Sequence, residues 1–171
     1  MAAEIRKEFS GDYETIRDVH IRAFGGDSEA NLVELLRDRK KALIALVALI
    51  DDRVVGHIMF SPVAVAEAPE NFRGIGLAPV SVLPQFQNQG IGSKLVHAGL
   101  VECRQDSYDA VFVLGHTKYY PRFGFRRAKD FGLDNEYKAE NAFMVMELKP
   151  EVLGNINGLV KYAPEFRETG C

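Results

Sequence analysis

Residues 85–94, QFQNQGIGSK, are rich in amide side chains, contain two glycines, and lie between a compact apolar run and a helix-like one. Glycine lets a backbone approach a ligand closely or take a positive φ. A helix start offers unpaired N–H groups and the positive end of a dipole. The stretch is therefore composed to meet an anion with backbone rather than side chain. Two standard phosphate loops are excluded. A Walker A loop needs a Gly-Lys pair, and the chain has none; a dinucleotide GxGxxG needs a third glycine where Leu95 stands. What remains is Gln-x-x-Gly-x-Gly at 87–92, in which Gly90 and Gly92 remove Cβ atoms where a diphosphate would approach. The plain alternative is a glycine-containing connector.

Other chemistry finds little support. Cys103 falls on the apolar stripe of a helix, Ser61-Pro62 has no visible His/Asp partner set, and His20 and His97 lie on helices with no supporting constellation. A net charge of −3 gives no bulk attraction to nucleic acid or to an anionic membrane. The longest apolar run, ALIALVALI at 42–50, is about half the ~20 residues of a membrane helix. Cys103 and Cys171 lie far apart with no CxxC, which argues against a zinc site and suits a reducing, cytoplasmic compartment. Cys171 is expected at a frayed terminus, as the more reactive thiol. MAAEIRKEFS lacks the apolar core of a secretory signal.

The elements that must position the loop follow from periodicity. No repeat or long linker interrupts the 171 residues, which predicts one domain, with a core at about 3–148 and an extension at 149–171 packing on it. AEIRKEF reads as a first strand. Asp12 is placed to cap a helix carrying Ile16 and Val19, and Ser28 or Asp27 to cap a second with Leu32, Leu35 and Leu36. The polar turn after ALIALVALI predicts an antiparallel hairpin over 42–66. IGLAPVSVL is the next strand, with Pro79 at an edge or bulge. GIGSKLVHAGLVECRQ is the strongest helix, followed by the strand DAVFVLG, a turn at TKYYPRFGF and the strand NAFMVMEL. The fold class is α/β (mixed α+β), antiparallel in its front half.

Gln-x-x-Gly-x-Gly between a strand and a helix resembles the coenzyme-A pyrophosphate loop of the GNAT superfamily of N-acetyltransferases. YYPRFGF at 119–125 resembles that superfamily's Tyr-x-x-x-Gly-Phe element. GLAPVSVLPQFQNQGIG with VFVLGHTKYYPRFGF, EANLVELLR and GLVKYAPEF are similar to the YhbS-type branch. The resemblance spans nearly the whole chain. One position departs from the wider superfamily: Val113 stands where an asparagine is frequent, seven residues before the tyrosine.

The resemblance implies a GNAT-like mixed, mostly antiparallel central sheet, flanked by helices, whose fourth and fifth strands splay apart around acetyl-CoA, with no metal. It implies Val82 and Leu83 beside the pantetheine and thioester, one of them giving a backbone N–H to the oxyanion. Gln87, Asn88, Gln89, Gly90, Gly92 and Ser93 are implied as the diphosphate cradle, and His116 as a pantetheine contact or a turn cap. Tyr120 takes the position of the general acid: a phenol with pKa near ~10 can protonate a thiolate of comparable basicity. Glu29 and His57 are the candidate bases; the plainer reading of Glu29 is a solvated helix-face carboxylate, and that of His57 a satisfied packing histidine. The acceptor is a small-molecule or protein amine, and a homodimer is compatible with the family. The implied activity is acetyl transfer to a primary amine in a ternary complex; the alternative is a noncatalytic acyl-CoA-binding or sensing domain.

Overall fold

A computed structural model describes residues 2–171. In chain order the elements are β1 (Glu4–Lys7), α1 (Tyr13–Phe24), α2 (Ser28–Asp38), β2 (Ile44–Ile50), β3 (Arg53–Glu67), β4 (Gly74–Val82), α3 (Ile91–Gln105), β5 (Ala110–Leu114), β6 (Arg126–Arg127), β7 (Leu133–Asn135), β8 (Phe143–Glu147), β9 (Asn157–Tyr162) and α4 (Glu165–Glu168). They form two compact units interleaved along the sequence. The first takes the chain up to Ser61, Ala78–Glu102 and Pro164–Cys171; the second takes Pro62–Leu77 and Cys103–Ala163. Both β3 and β4 start in one unit and finish in the other. β1–β2, β2–β3, β3–β9, β5–β8 and β6–β8 pair antiparallel, and β4–β5 and β7–β9 pair parallel. This is the expected mixed α/β, mostly antiparallel class.

In the first unit β1 pairs with β2, and β2 with β3. The β2–β3 hairpin closes through Asp51 and Asp52, at φ of 49° and 63°. Two consecutive left-handed residues match the right-handed twist of the flanking strands, and aspartate tolerates that region. Helix α3 packs on β3 through its small residues. A Cβ on Gly56 would lie 3.1 Å from Leu95 Cδ1, and one on Gly99 would overlap the edge of the Phe60 ring. Burying a phenylalanine or leucine there contributes roughly 1.5–3 kcal/mol each.

Asp12 stands at the start of α1, as expected, but its carboxylate does not cap that helix. It accepts two hydrogen bonds from Arg6, at 2.8 and 3.0 Å, and one from the Phe9 N–H. Helix α4 is anchored by Glu165, 1% exposed, between Arg39 and Lys41. Cys171 differs from expectation. It is half-buried, burial pushes its thiol pKa up, and its N–H donates to Phe166 O. Cys103 is fully buried, as its helical spacing indicates.

In the second unit β5 is flanked by β4 and β8, β6 pairs with β8, and β9 lies between the end of β3 and β7. Phe112 and Phe143 stack across the β5–β8 pair at 6.0 Å. The β4–β5 ladder covers only Gly74–Gly76 against Ala110–Phe112. Beyond it β4 runs on to Val82 and β5 to Leu114. The ladder thus covers only the first three residues of each strand, the limited pairing expected of the fourth and fifth strands.

Candidate active site

The anion loop lies in the first unit. After Leu83 a 3₁₀ turn, Pro84–Phe86, leads to the extended Gln87. Asn88 and Gly90 then take left-handed conformations, at φ of 62° and 83°. Left-handed residues at such a corner turn successive N–H groups toward one side, which makes anion-binding concavities. Gly90 O accepts the Lys94 N–H at 3.1 Å, closing the first turn of α3. The Ile91 and Gly92 N–H groups precede that bond, so the helix supplies them no acceptor. A Cβ on Gly90 would meet no protein atom within 4 Å, so the space over the loop is open. Asn88, Gln89 and Gly90 are exposed; Gly92 and Ser93 are half-buried.

Gln87 does something its motif position does not reveal. Its Nε2 donates to Val82 O at 2.9 Å and so braces the loop against the end of β4. Leu83 is also committed, its N–H donating to Val55 O at 2.8 Å. Backbone groups alternate sides along a strand. Val82 therefore presents its N–H to the edge away from β3, the one on which Gln87 meets its carbonyl. Of the two candidate oxyanion donors, Val82 is the one whose N–H does not face β3.

Tyr120 lies in the second unit, at the head of a 3₁₀ turn, Tyr120–Phe123, that ends on left-handed Gly124. It is 6% exposed, with ring centroids at 5.1 Å from Tyr119 and 5.7 Å from Phe125. Gly115 makes room for it: a Cβ there would overlap the ring's Cε2. Burial, helped by Tyr119, pushes the phenol pKa up to about 12. The side chain therefore keeps its proton across the physiological range, the state an acid requires. His116 is exposed, and its carbonyl accepts the N–H groups of Tyr119 and Tyr120 at 3.1 and 3.3 Å. Its main chain thus caps this turn.

His57 is fully buried and belongs to a chain of side chains within the first unit. Its Nε2 meets Glu8 Oε1 at 2.7 Å, and its Nδ1 meets His20 Nε2 at 2.8 Å. His20 Nδ1 meets Ser81 Oγ at 2.8 Å, and Arg37 forks onto Glu8 at 2.8 and 2.9 Å. His20, Ser81, Glu8 and Arg37 were not legible as partners in the sequence, since they come from four separate segments. The one local signal is that His20 follows Ile16 and Val19 on the buried face of α1. Glu29 stands outside this chain, half-buried in the first turn of α2, 4.0 Å from Cys171 Sγ. Among the described residues no group of three or more His, Cys, Asp or Glu could hold a metal ion.

The electrostatics of the chain fix its protonation. Burial works to raise the Glu8 pKa, but hydrogen bonds from His57 and Arg37 outweigh it and bring it down to about 2. Burial lowers both histidines below the usual 6.5, His20 further through His57 and Arg37, and His57 against the pull of Glu8. A neutral His57 brings no charge to Glu8 but still donates a hydrogen bond to it, and with the charged Arg37 fork this keeps the carboxylate ionised at pH 7. The unfolded chain binds protons at these histidines that the folded one refuses, so stability rises with pH through this window. Thermal unfolding followed from pH 7.5 to 5 should show the midpoint falling below about pH 6.5, before the carboxylates titrate. His20→Gln should flatten that fall.

Residues 4–128 match the Acetyltransferase (GNAT) domain. Over 164 residues, 95% of this chain and 97% of the relative, the sequence is 36% identical to the uncharacterized N-acetyltransferase YhbS of Escherichia coli (strain K12). The crystal structure of Escherichia coli YhbS in complex with CoA superposes with a TM-score of 0.91 at 35% identity, over 96% of this chain and 92% of that one. A GNAT family acetyltransferase from Brucella melitensis, in complex with acetyl-CoA, gives 0.79 at 35% identity, over 96% and 98%. On the matched domain and the near full-length relatives, the chain belongs to the GNAT family of acetyltransferases.

Proposed function

We propose that the protein is an acetyl-CoA-dependent N-acetyltransferase that moves the acetyl group to a primary amine by direct transfer in a ternary complex. The observation that carries this is the open loop over Gly90, whose backbone runs into the start of α3. It fits a diphosphate without a lysine or metal, and the two similar structures contain CoA and acetyl-CoA. Asn88, Gln89, Gly90, Gly92 and Ser93 hold the diphosphate mainly through backbone. Val82 donates its N–H to the developing oxyanion, where a fixed dipole costs no reorganisation. Tyr120 gives its proton to the departing sulfur. Its raised pKa keeps the donor loaded, and the cost is a smaller driving force for transfer.

Gln87 steadies the loop and leaves the diphosphate to its neighbours. A neutral hydrogen bond of this kind is worth about 0.5–1.5 kcal/mol. Gln87→Ala should therefore weaken CoA binding by less than about tenfold, read by calorimetric titration. The reaction order is tested by initial rates at varied acetyl-CoA and amine. Intersecting lines are expected; parallel lines would mean a covalent acetyl-enzyme and would overturn direct transfer.

A further inference from the structure

The buried chain Ser81–His20–His57–Glu8–Arg37 has a single consistent polarity. Arg37 can only donate, and ionised Glu8 can only accept. Glu8 must therefore take a proton from His57 Nε2. Neutral His57 then has Nδ1 as its acceptor, so His20 donates from Nε2. Neutral His20 in turn has Nδ1 as its acceptor, so Ser81 donates its hydroxyl proton. Every step from Ser81 to Glu8 points the same way, over links of 2.8, 2.8 and 2.7 Å. The serine is left with lone pairs and no proton to give elsewhere, as in the serine–histidine–carboxylate arrangement, here lengthened by a second imidazole.

We propose that Ser81 Oγ is the base that takes a proton from the acceptor amine, with His20, His57 and Glu8 as the relay behind it. This rests on the acetyl-transfer reading above. Ser81 is the residue before Val82, the proposed oxyanion donor, and is the only member of the chain on β4. The opposite end reaches water: Glu8 is 9% exposed, and Arg37 lines an open groove with Tyr13, Glu14, Arg17, Glu34 and Asp38.

The protons balance. A proton moves from the ammonium nitrogen to Ser81 Oγ while the Ser81 proton moves to His20 Nδ1. The His20 Nε2 proton moves to His57 Nδ1. His57 is then an imidazolium that still donates from Nε2 to ionised Glu8. After transfer the protons retrace the links: His57 Nδ1 returns its proton to His20 Nε2, His20 Nδ1 returns its own to Ser81 Oγ, and Ser81 releases the amine's proton to water, which restores both Nε2–H tautomers. The neutral amine attacks the acetyl carbon, the C–S bond breaks, and the sulfur takes a proton from Tyr120. The second proton lost by nitrogen passes to water, and Tyr120 regains its own from water. The groups facing the two imidazoles are Glu8 beyond β1, Asp12 before α1, Arg37 on α2 and Ser81 on β4, with the Phe24 ring stacked on His20 at 6.1 Å. Glu8 is the carboxylate in direct contact, and it opposes the charge that arrives on His57.

Tautomers, kinetics and adduct chemistry test this. Nitrogen-15 NMR of the wild-type imidazoles at pH 7 should find both His20 and His57 protonated at Nε2; an Nδ1–H form of either breaks the relay. Ser81→Ala removes one buried oxygen and should fold. Its kcat/KM for an amine that the wild type acetylates should fall by roughly 10²-fold at pH 7, with CoA affinity unchanged. The deficit should shrink toward the amine's own pKa, and a bowed proton inventory in H₂O/D₂O mixtures should become linear. A structural role would move none of these profiles, and an unchanged Ser81→Ala variant would overturn the proposal. An acetyl adduct on Ser81 after incubation with acetyl-CoA would also overturn it, by making the serine a nucleophile. Absence of amine-dependent thiol release from the wild type would instead sink the acetyl-transfer reading, and the amine-base proposal with it; the tautomers would still report the polarity of the chain.

Discussion

Tyr120→Phe is expected to lower turnover roughly 10²-fold while CoA affinity stays within about a few-fold. The substitution keeps the ring, and the ring is what the surroundings hold. Tyr119, Phe123 and Phe125 pack around it, and Gly115 leaves the space it fills. Only the proton is lost. An interaction made in the transition state lowers kcat and kcat/KM together and leaves ground-state binding alone. Tyr119→Phe is the control. Its ring lies half-buried under the Arg122 guanidinium at 4.6 Å, and it should lose far less. Normal turnover by Tyr120→Phe with CoA still binding would remove the acid from Tyr120 and give it to solvent.

Gly90→Val should weaken CoA binding by roughly tenfold or more, through two separable effects. At φ of 83° a β-branched residue is strained by about 1–3 kcal/mol, and the loop can relieve that only by moving the carbonyl that starts α3. Each 1.4 kcal/mol is about tenfold in affinity. The second effect is obstruction. No protein atom lies within 4 Å of a Cβ at this position, so the variant has no internal clash and should fold, with its side chain in the space open to the ligand. Gly90→Ala keeps most of the strain and little of the bulk, and should fall between the two. Gly92→Val, inside the first turn of α3, tests the same approach without a left-handed φ. Calorimetric titration reads all three. Undiminished affinity in a folded Gly90→Val protein would take the diphosphate away from this loop.

The sequence made legible what short-range physics decides. The run Ile44–Ile50, the Asp51-Asp52 turn and β3 are strongly β-forming segments around a turn of two residues, so the hairpin follows from local chemistry. Helix α3 follows from Leu95, Val96, Leu100 and Cys103 on one face. Strands β6 and β7 have two and three residues, too few for an alternation to register. Strand β9 contains Gly158, and its partners come from β3 and β7, far away in the chain. The loop was legible because glycine spacing is local. The histidine chain was not, because each link joins residues 37–61 positions apart. Its polar groups are satisfied only after β1, α1, α2, β3 and β4 come together. Asp12 shows the same competition at short range: an N-cap position was readable, but Arg6 and the Phe9 N–H take the carboxylate.

The most direct measurement of the account is thiol release from acetyl-CoA in the presence of a pooled panel of primary amines, with mass spectrometry of the products. Thiol release that requires an amine is expected, with an N-acetylated amine in equal amount and both slowed roughly 10²-fold by Tyr120→Phe. CoA binding by calorimetry without amine-dependent release across small-molecule and peptide amines would contradict it, and would make the fold an acyl-CoA-binding domain.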